Sequence, residues 1–370
     1  MPTPLRIAER RTSWQKTLQE IGTQPLAFKP DFPEVAARWE AWWACRNDRP
    51  LLAAACRKEA KIRWGKAFDL VEKPREWLAV RRTQVENIHW AGDAIPNVRV
   101  DLGPVSTAAY LGAPLMLSEE EQTTWQTPSI EDWRQAPSFA FDPSNRWFRA
   151  VVELMRVTAE DARGRYAVCL PDLTGAMDVL SNMRGPDRLC MDLLENGPKV
   201  VASAAKVVEA WESSFTAFHD VVLGAGAGIF QWLGCWSFAP YTLPTCDFNF
   251  MISPAQFAEF CLPSLREQAR RAGRCVFHMD GPGASRHAAA LAAEPLITAI
   301  QYTPGAGTPS ALAKLEMLRT LQQAGKPIVV FVPAEEVPEL LKKLDPKGLC
   351  LLPEGIRSPA HADELAAMCR

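Results

Sequence analysis

Apolar and polar positions along this chain follow two periods. Residues 32–46 and 75–90 repeat apolar side chains at helical spacing, with Trp39, Trp42, Trp43 and Trp77 on the buried faces. Between them, residues 50–57 form a short, continuous apolar run, the first predicted strand. A similar run at 97–102 ends in a Gly-Pro turn, and the sequence to about residue 145 is rich in Pro, Trp and acidic residues with weak periodicity. That stretch, about 103–145, reads as a long loop excursion of the kind that carries functional surfaces. Helical spacing returns from Trp147, a strand is predicted from Tyr166 into Asp172, and the helical region 186–219 divides at Gly197-Pro198.

Further runs at 228–236, 243–248, 274–280, 296–302, 327–333 and 348–354 alternate with predicted helices. One helix begins at Ser253-Pro254, where Ser suits the N-cap and Pro the first turn. Short continuous runs are strands buried on both faces, which requires a parallel sheet covered by helices. The count predicts a single (β/α)8 TIM barrel over residues 49–370, preceded by an N-terminal helical extension at 1–48. Nine runs are one too many, so either 97–102 or 243–248 is expected to be a loop.

Composition adds exclusions. A net charge of −2 with scattered charges gives no basis for nucleic-acid binding. Ten cysteines without a CxxC pair, and an N-terminus without an apolar leader, are expected of a cytoplasmic protein with reduced thiols. Val221 to Cys246 lacks any charge, but its four glycines and two prolines predict a strand and an apolar loop rather than a membrane span. The GAGAG at 224–228 lacks a Walker lysine and reads as a turn. His89, His219, His287 and His361 lie in helical contexts, and Arg266, Arg270, Arg271 and Arg274 read as a solvated helix face.

Barrel active sites lie at the carboxyl ends of the strands. There the runs supply Asp172, Gln231, Trp232, Trp236, Cys246, Asp247, His278, Asp280, Gln301, Tyr302 and Glu354. Strand alternation points His278 and Asp280 to the same face just before Gly281-Pro282-Gly283. A neutral imidazole with a neighbouring carboxylate is a pair of zinc donors, and Cys246, Cys350 or Glu354 offers the third.

Asp172-LTGAMDVLSNMRGPDRLCMDLLENGP, Pro244-TCDFNFMISPAQFAEFCLP, His278-MDGPG and Ile300-QYTPGAG resemble the uroporphyrinogen decarboxylase superfamily, which includes zinc-dependent corrinoid methyltransferases. The resemblance, over about residues 90–370, implies a barrel with its substrate at the mouth. The arginine-rich segment expected of tetrapyrrole decarboxylases is not matched by Cys56-RKEAKIRWGK. The methyltransferases' His-x-Cys is here His278-Met279-Asp280, with Cys350 near the place of their second cysteine. The resemblance thus implies a divergent methyltransferase using zinc and a small-molecule or corrinoid-bound methyl group. In it His278, Asp280, Asp172 and Tyr302 act in catalysis, while Trp232, Trp236, Asp247 and Gln301 contact substrate. A corrinoid protein as partner and a homodimer are further implied. The alternative is a metal-free decarboxylase of a tetrapyrrole-like or other carboxylated substrate.

Overall fold

The computed structural model describes residues 6–59, 71–100, 102–118 and 123–369. Residues 60–66 of the segment compared with the decarboxylase arginines lie outside them. Among the described residues twelve strands appear in chain order: β1 (Leu51–Arg57), β2 (Ile88–Gly92), β3 (Asn97–Arg99), β4 (Leu115–Ser118), β5 (Thr123–Gln126), β6 (Ala167–Leu170), β7 (Ile229–Gln231), β8 (Cys235–Ser237), β9 (Val276–Asp280), β10 (Ala299–Thr303), β11 (Ile328–Pro333) and β12 (Leu349–Glu354). They form a six-stranded sheet ordered β2-β1-β12-β11-β10-β9, a four-stranded sheet β3-β6-β7-β8 and the hairpin β4-β5. The pairings β1-β12, β12-β11, β11-β10 and β10-β9 are parallel, as are β3-β6 and β6-β7. The fold is therefore mixed α/β, built on parallel strands with helical connections.

The predicted helices recur closely. Phe32–Trp43, Arg146–Ala162, Pro186–Glu195 and Gly197–Leu223 are helical, the last two breaking at Asn196 next to the expected Gly-Pro. Ser253 caps as expected, its hydroxyl accepting from the Gln256 amide and its own N–H donating to the Gln256 side chain. The 97–99 run is a strand, while 243–248 is not. That segment instead runs beside β9 through Thr242 N–H to Arg274 O (3.0 Å), Val276 N–H to Thr242 O (3.0 Å) and His278 N–H to Pro244 O (3.1 Å).

Other expectations change. The single run at 228–236 is an antiparallel pair, β7 and β8, reversed at Gly234 with φ +75°. The excursion after residue 103 contains a short helix, Ser106–Tyr110, and the β4-β5 hairpin. The arginines of helix Leu262–Ala272 are not a free solvated face. Arg271 is half-buried and pairs with Glu209, Glu212 and Glu267, while Arg6 also reaches Glu209 and Glu212. With the Trp14 indole donating to Asp220 at 2.7 Å, these contacts seat the first helix, Ile7–Ile21, on helix Gly197–Leu223. No helix among the described residues is long and apolar enough to cross a membrane.

Candidate functional site

Strands β9 and β10 set the geometry. Their register pairs His278 with Gln301 and Asp280 with Thr303. Because strand side chains alternate, these four project from one face. His278 is buried, and its Nδ1 donates to Gln301 Oε1, whose Nε2 donates to Thr303 Oγ1 at 2.9 Å. This chain places the imidazole proton on Nδ1 and leaves Nε2 with a lone pair. Burial lowers the His278 pKa, opposed by the bond to Gln301 and the nearby Asp280 charge, so the ring is neutral near pH 7.

The third donor comes from the loop beside β9. Asp178, a buried carboxylate in the first turn of helix Ala176–Arg184, holds that loop. Its Oδ2 accepts from Thr245 Oγ1 (2.7 Å), the Asp247 amide (2.9 Å) and Thr174 Oγ1 (3.2 Å), and its Oδ1 from the Phe248 amide (2.9 Å). A buried charge needs such saturation to persist. Gly175 lets the loop approach, since a Cβ there would lie 2.2 Å from the Thr245 carbonyl oxygen. The result brings one ligand atom each of Asp247, His278 and Asp280 within 4.8 Å of one another. Although Asp247 opens to solvent, the surrounding protein first, then Asp178 and Asp280, push its pKa up to about 7.

One imidazole nitrogen and two carboxylate oxygens are ligands zinc accepts, and the same set suits other first-row divalent ions. Gln301 behind the imidazole is the outer partner that metal-binding histidines characteristically have. The residues fit a divalent ion.

These side chains border a cavity of about 360 Å³ lined by Arg99, Pro104, Asp172, Trp232, Leu233, Thr245, Asp247, His278, Asp280, Thr303, Phe331 and Glu354. The Arg99 guanidinium lies 5.0 Å from the Trp232 ring centre, and the Trp232 ring meets His278 edge-on at 5.3 Å. Among the described residues, four carboxylates and one guanidinium therefore share this space.

The chain has the fold of a solved methyltransferase. That structure, a methyltransferase from Methanosarcina mazei, superposes with a TM-score of 0.58 over 90% of this chain and 97% of its own, at 13% sequence identity. Likeness at this identity shows the fold alone. No protein-family model and no curated protein sequence matches the chain.

Of the residues singled out from the sequence, Asp172, Trp232, Asp247, His278, Asp280 and Glu354 meet at the cavity, with Gln301 directly behind His278. Asp247, expected to touch substrate, lies with its carboxylate within 4.8 Å of the His278 and Asp280 ligand atoms. The thiols are not part of it. Cys350 is fully buried beside Leu51 and Val329 in the sheet, and burial pushes its thiol well above the usual range. Cys246 is buried against Cys261, and that hydrogen bond, with burial, raises its pKa in the same direction. Tyr302, one residue beyond Gln301, faces the opposite side of β10 from Gln301 and Asp280; burial, and then the Asp280 charge, push its pKa up to about 12. Trp236 is core: its indole donates to Ala227 O at 2.7 Å, and its ring fills the space a Gly228 side chain would need. Arg99, Thr303, Phe331 and Asp178 were not singled out. Arg99 and Thr303, which close β3 and β10, had the strand-end signal that selected the others.

Proposed function

We propose that the protein is a metal-dependent methyltransferase acting on a small molecule. The observation that carries this reading is the Asp247, His278 and Asp280 donor group at the edge of a cavity at strand ends. The fold shared with a solved methyltransferase supports it. We further propose that the two parallel sheets, bridged by the loop at 242–247, form one (β/α)8 barrel, as the β9 contacts of that loop favour.

His278 Nε2, Asp247 and Asp280 would hold the ion, zinc being the first choice for this set. When bound, such an ion supplies Lewis acidity that lowers the pKa of an acceptor group. The protein's own groups do the rest. Gln301 keeps the imidazole in one tautomer, Asp178 holds the backbone of Asp247, and Trp232 with Phe331 gives the cavity apolar walls. Asp172, Arg99 and Glu354 orient polar parts of the substrate. The cavity suits a small molecule. A corrin ring is too large for it, so a corrinoid methyl donor would be presented at the mouth by a partner protein.

The alternative, metal-free decarboxylation of a carboxylated ring, requires a cavity that attracts carboxylates. Among the described residues such a substrate would meet four carboxylates and one guanidinium. Metal analysis of the purified protein decides between the readings. The expected result is a stoichiometric divalent ion, with His278→Ala, Asp247→Asn and Asp280→Asn each weakening its retention at least ~100-fold and Cys350→Ser leaving it unchanged. A metal-free protein that turns over a porphyrinogen would overturn the proposal.

A further inference from the structure

A second pocket, of about 450 Å³, opens at the other end of the strands, against the first helix. Arg274 on its wall stands two residues before β9, and Phe238 follows β8 where that strand pairs with the first residue of β7. Both places are the amino ends of the parallel strands, away from His278 and Asp280. Helical spacing puts Ile7, Arg11, Trp14 and Leu18 on one side of the first helix, with Gln15 and Gln19 beside them. The three apolar members are buried and floor the pocket, and half-buried Phe238 and Pro240 extend its apolar surface.

The polar groups of this pocket are unevenly committed. Arg274 gives both terminal nitrogens to Glu40 and one of them also to Ser237 Oγ at 2.6 Å, and the Trp14 indole N–H is taken by Asp220. Arg11 differs. Its Nη2 donates to Arg271 O at 2.7 Å, near the end of helix Leu262–Ala272, and the guanidinium lies beside Gly273, where a Cβ would be 3.5 Å from Nη1. That bond holds the group at the rim but uses one of five N–H donors. Among the described residues no carboxylate pairs with Arg11, and no Asp or Glu lines the pocket. The Gln15 and Gln19 side chains are exposed next to it.

Capping a helix end would need only the bond to the Arg271 carbonyl. Placed at the rim of an apolar pocket without negative charge of its own, the same guanidinium sets a positive field over a concave apolar surface. That combination selects an anion with an apolar body. We propose that this pocket binds a small organic carboxylate, its apolar part on Ile7, Trp14, Leu18 and Phe238 and its head at Arg11. The proposal stands apart from the metal reading, because none of these residues belongs to the donor group or lines the cavity beside it.

The test titrates octanoate, octanamide and octylammonium, three heads on one chain, into the full-length protein by calorimetry, as purified and again after chelation. Octanoate is expected to bind at least ~3-fold more tightly than octanamide, and octylammonium least well. Arg11→Gln is expected to abolish the preference for octanoate without moving octanamide, whereas Arg11→Lys, which keeps the charge, keeps the preference. Phe238→Ala is expected to weaken octanoate and octanamide alike, ~3-fold or more. Unchanged melting temperatures confirm that the variants fold. The proposal is wrong if octanamide or octylammonium binds as well as octanoate, or if Arg11→Gln titrates like the parent. It is also wrong if Arg11→Lys loses the preference as Arg11→Gln does, which would assign the effect to the lost helix cap. Loss of octanoate binding on chelation would place the carboxylate on an ion at the donor group and likewise overturn the proposal. A protein that holds no metal and still prefers octanoate upholds this proposal and overturns the metal reading alone.

Discussion

Two buried histidines show how neighbours decide what a side chain does. His278 gives Nδ1 to Gln301 and lies beside two carboxylates, with one ligand atom of each within 4.8 Å of the others. His219 has no such outlet. Fully buried, it donates Nδ1 to Phe215 O at 2.8 Å and stacks on Phe215 and Trp14, and burial pushes its pKa down to about 3. Between about pH 3 and the unfolded value near 6.5, the unfolded chain therefore binds one more proton than the folded one. Stability from this residue is complete above pH ~6.5 and falls as the pH drops, by about 1.4 kcal/mol per unit. His219→Phe keeps the stacking and is expected to flatten the acid limb of a urea-midpoint profile by that slope, so an unchanged limb would contradict the assignment. At this scale the sequence was legible for His278 and Asp280, because a period of two and a Gly-Pro-Gly turn fix their common face. It was misleading for Cys246 and Cys350. Thiols are good zinc ligands by chemistry, but these two point into packed protein.

Short elements explain most of the remaining difference between pattern and structure. β2 was hidden because Ile88, His89 and Trp90 continue the helical spacing of Pro74–Glu86, yet the strand pairs antiparallel with β1. β8 was hidden because an unbroken apolar run carries no mark of chain reversal apart from Gly234. The donor loop was the least legible element. Its position depends on Asp178, 69 residues before Asp247, and no local period connects them. Its dependence on close backbone approach gives a direct check. Gly175→Ala would place a methyl against the Thr245 carbonyl, so it is expected to cost about 1–3 kcal/mol in urea unfolding and to weaken metal retention. Loss of stability without any change in metal binding would show that the loop can part from the helix and leave Asp247 in place.

At the scale of the whole molecule, the core and the donor group are separate structures. Ile300, Val330 and Leu349 are fully buried and owe nothing to an ion, and the Arg6 and Arg271 pairs fasten the first helix far from the cavity. Chelation is therefore expected to lower the melting temperature by only about 5 °C, as loss of a bound ligand does, while far-ultraviolet circular dichroism stays native. Cooperative unfolding on chelation would mean that the ion belongs to the fold. The same separation exists within the donor set. His278 and Asp280 ride two residues apart on one hydrogen-bonded strand, so their spacing is fixed by the pleat. Asp247 rides on a loop whose latch is a single carboxylate, with Thr174 and Thr245 hydroxyls closing it. The ionic radius that such a set would prefer is consequently an adjustable property of residues 174, 178 and 245. Substitutions there would move selectivity among zinc, manganese and magnesium while every atom that touches the ion keeps its identity.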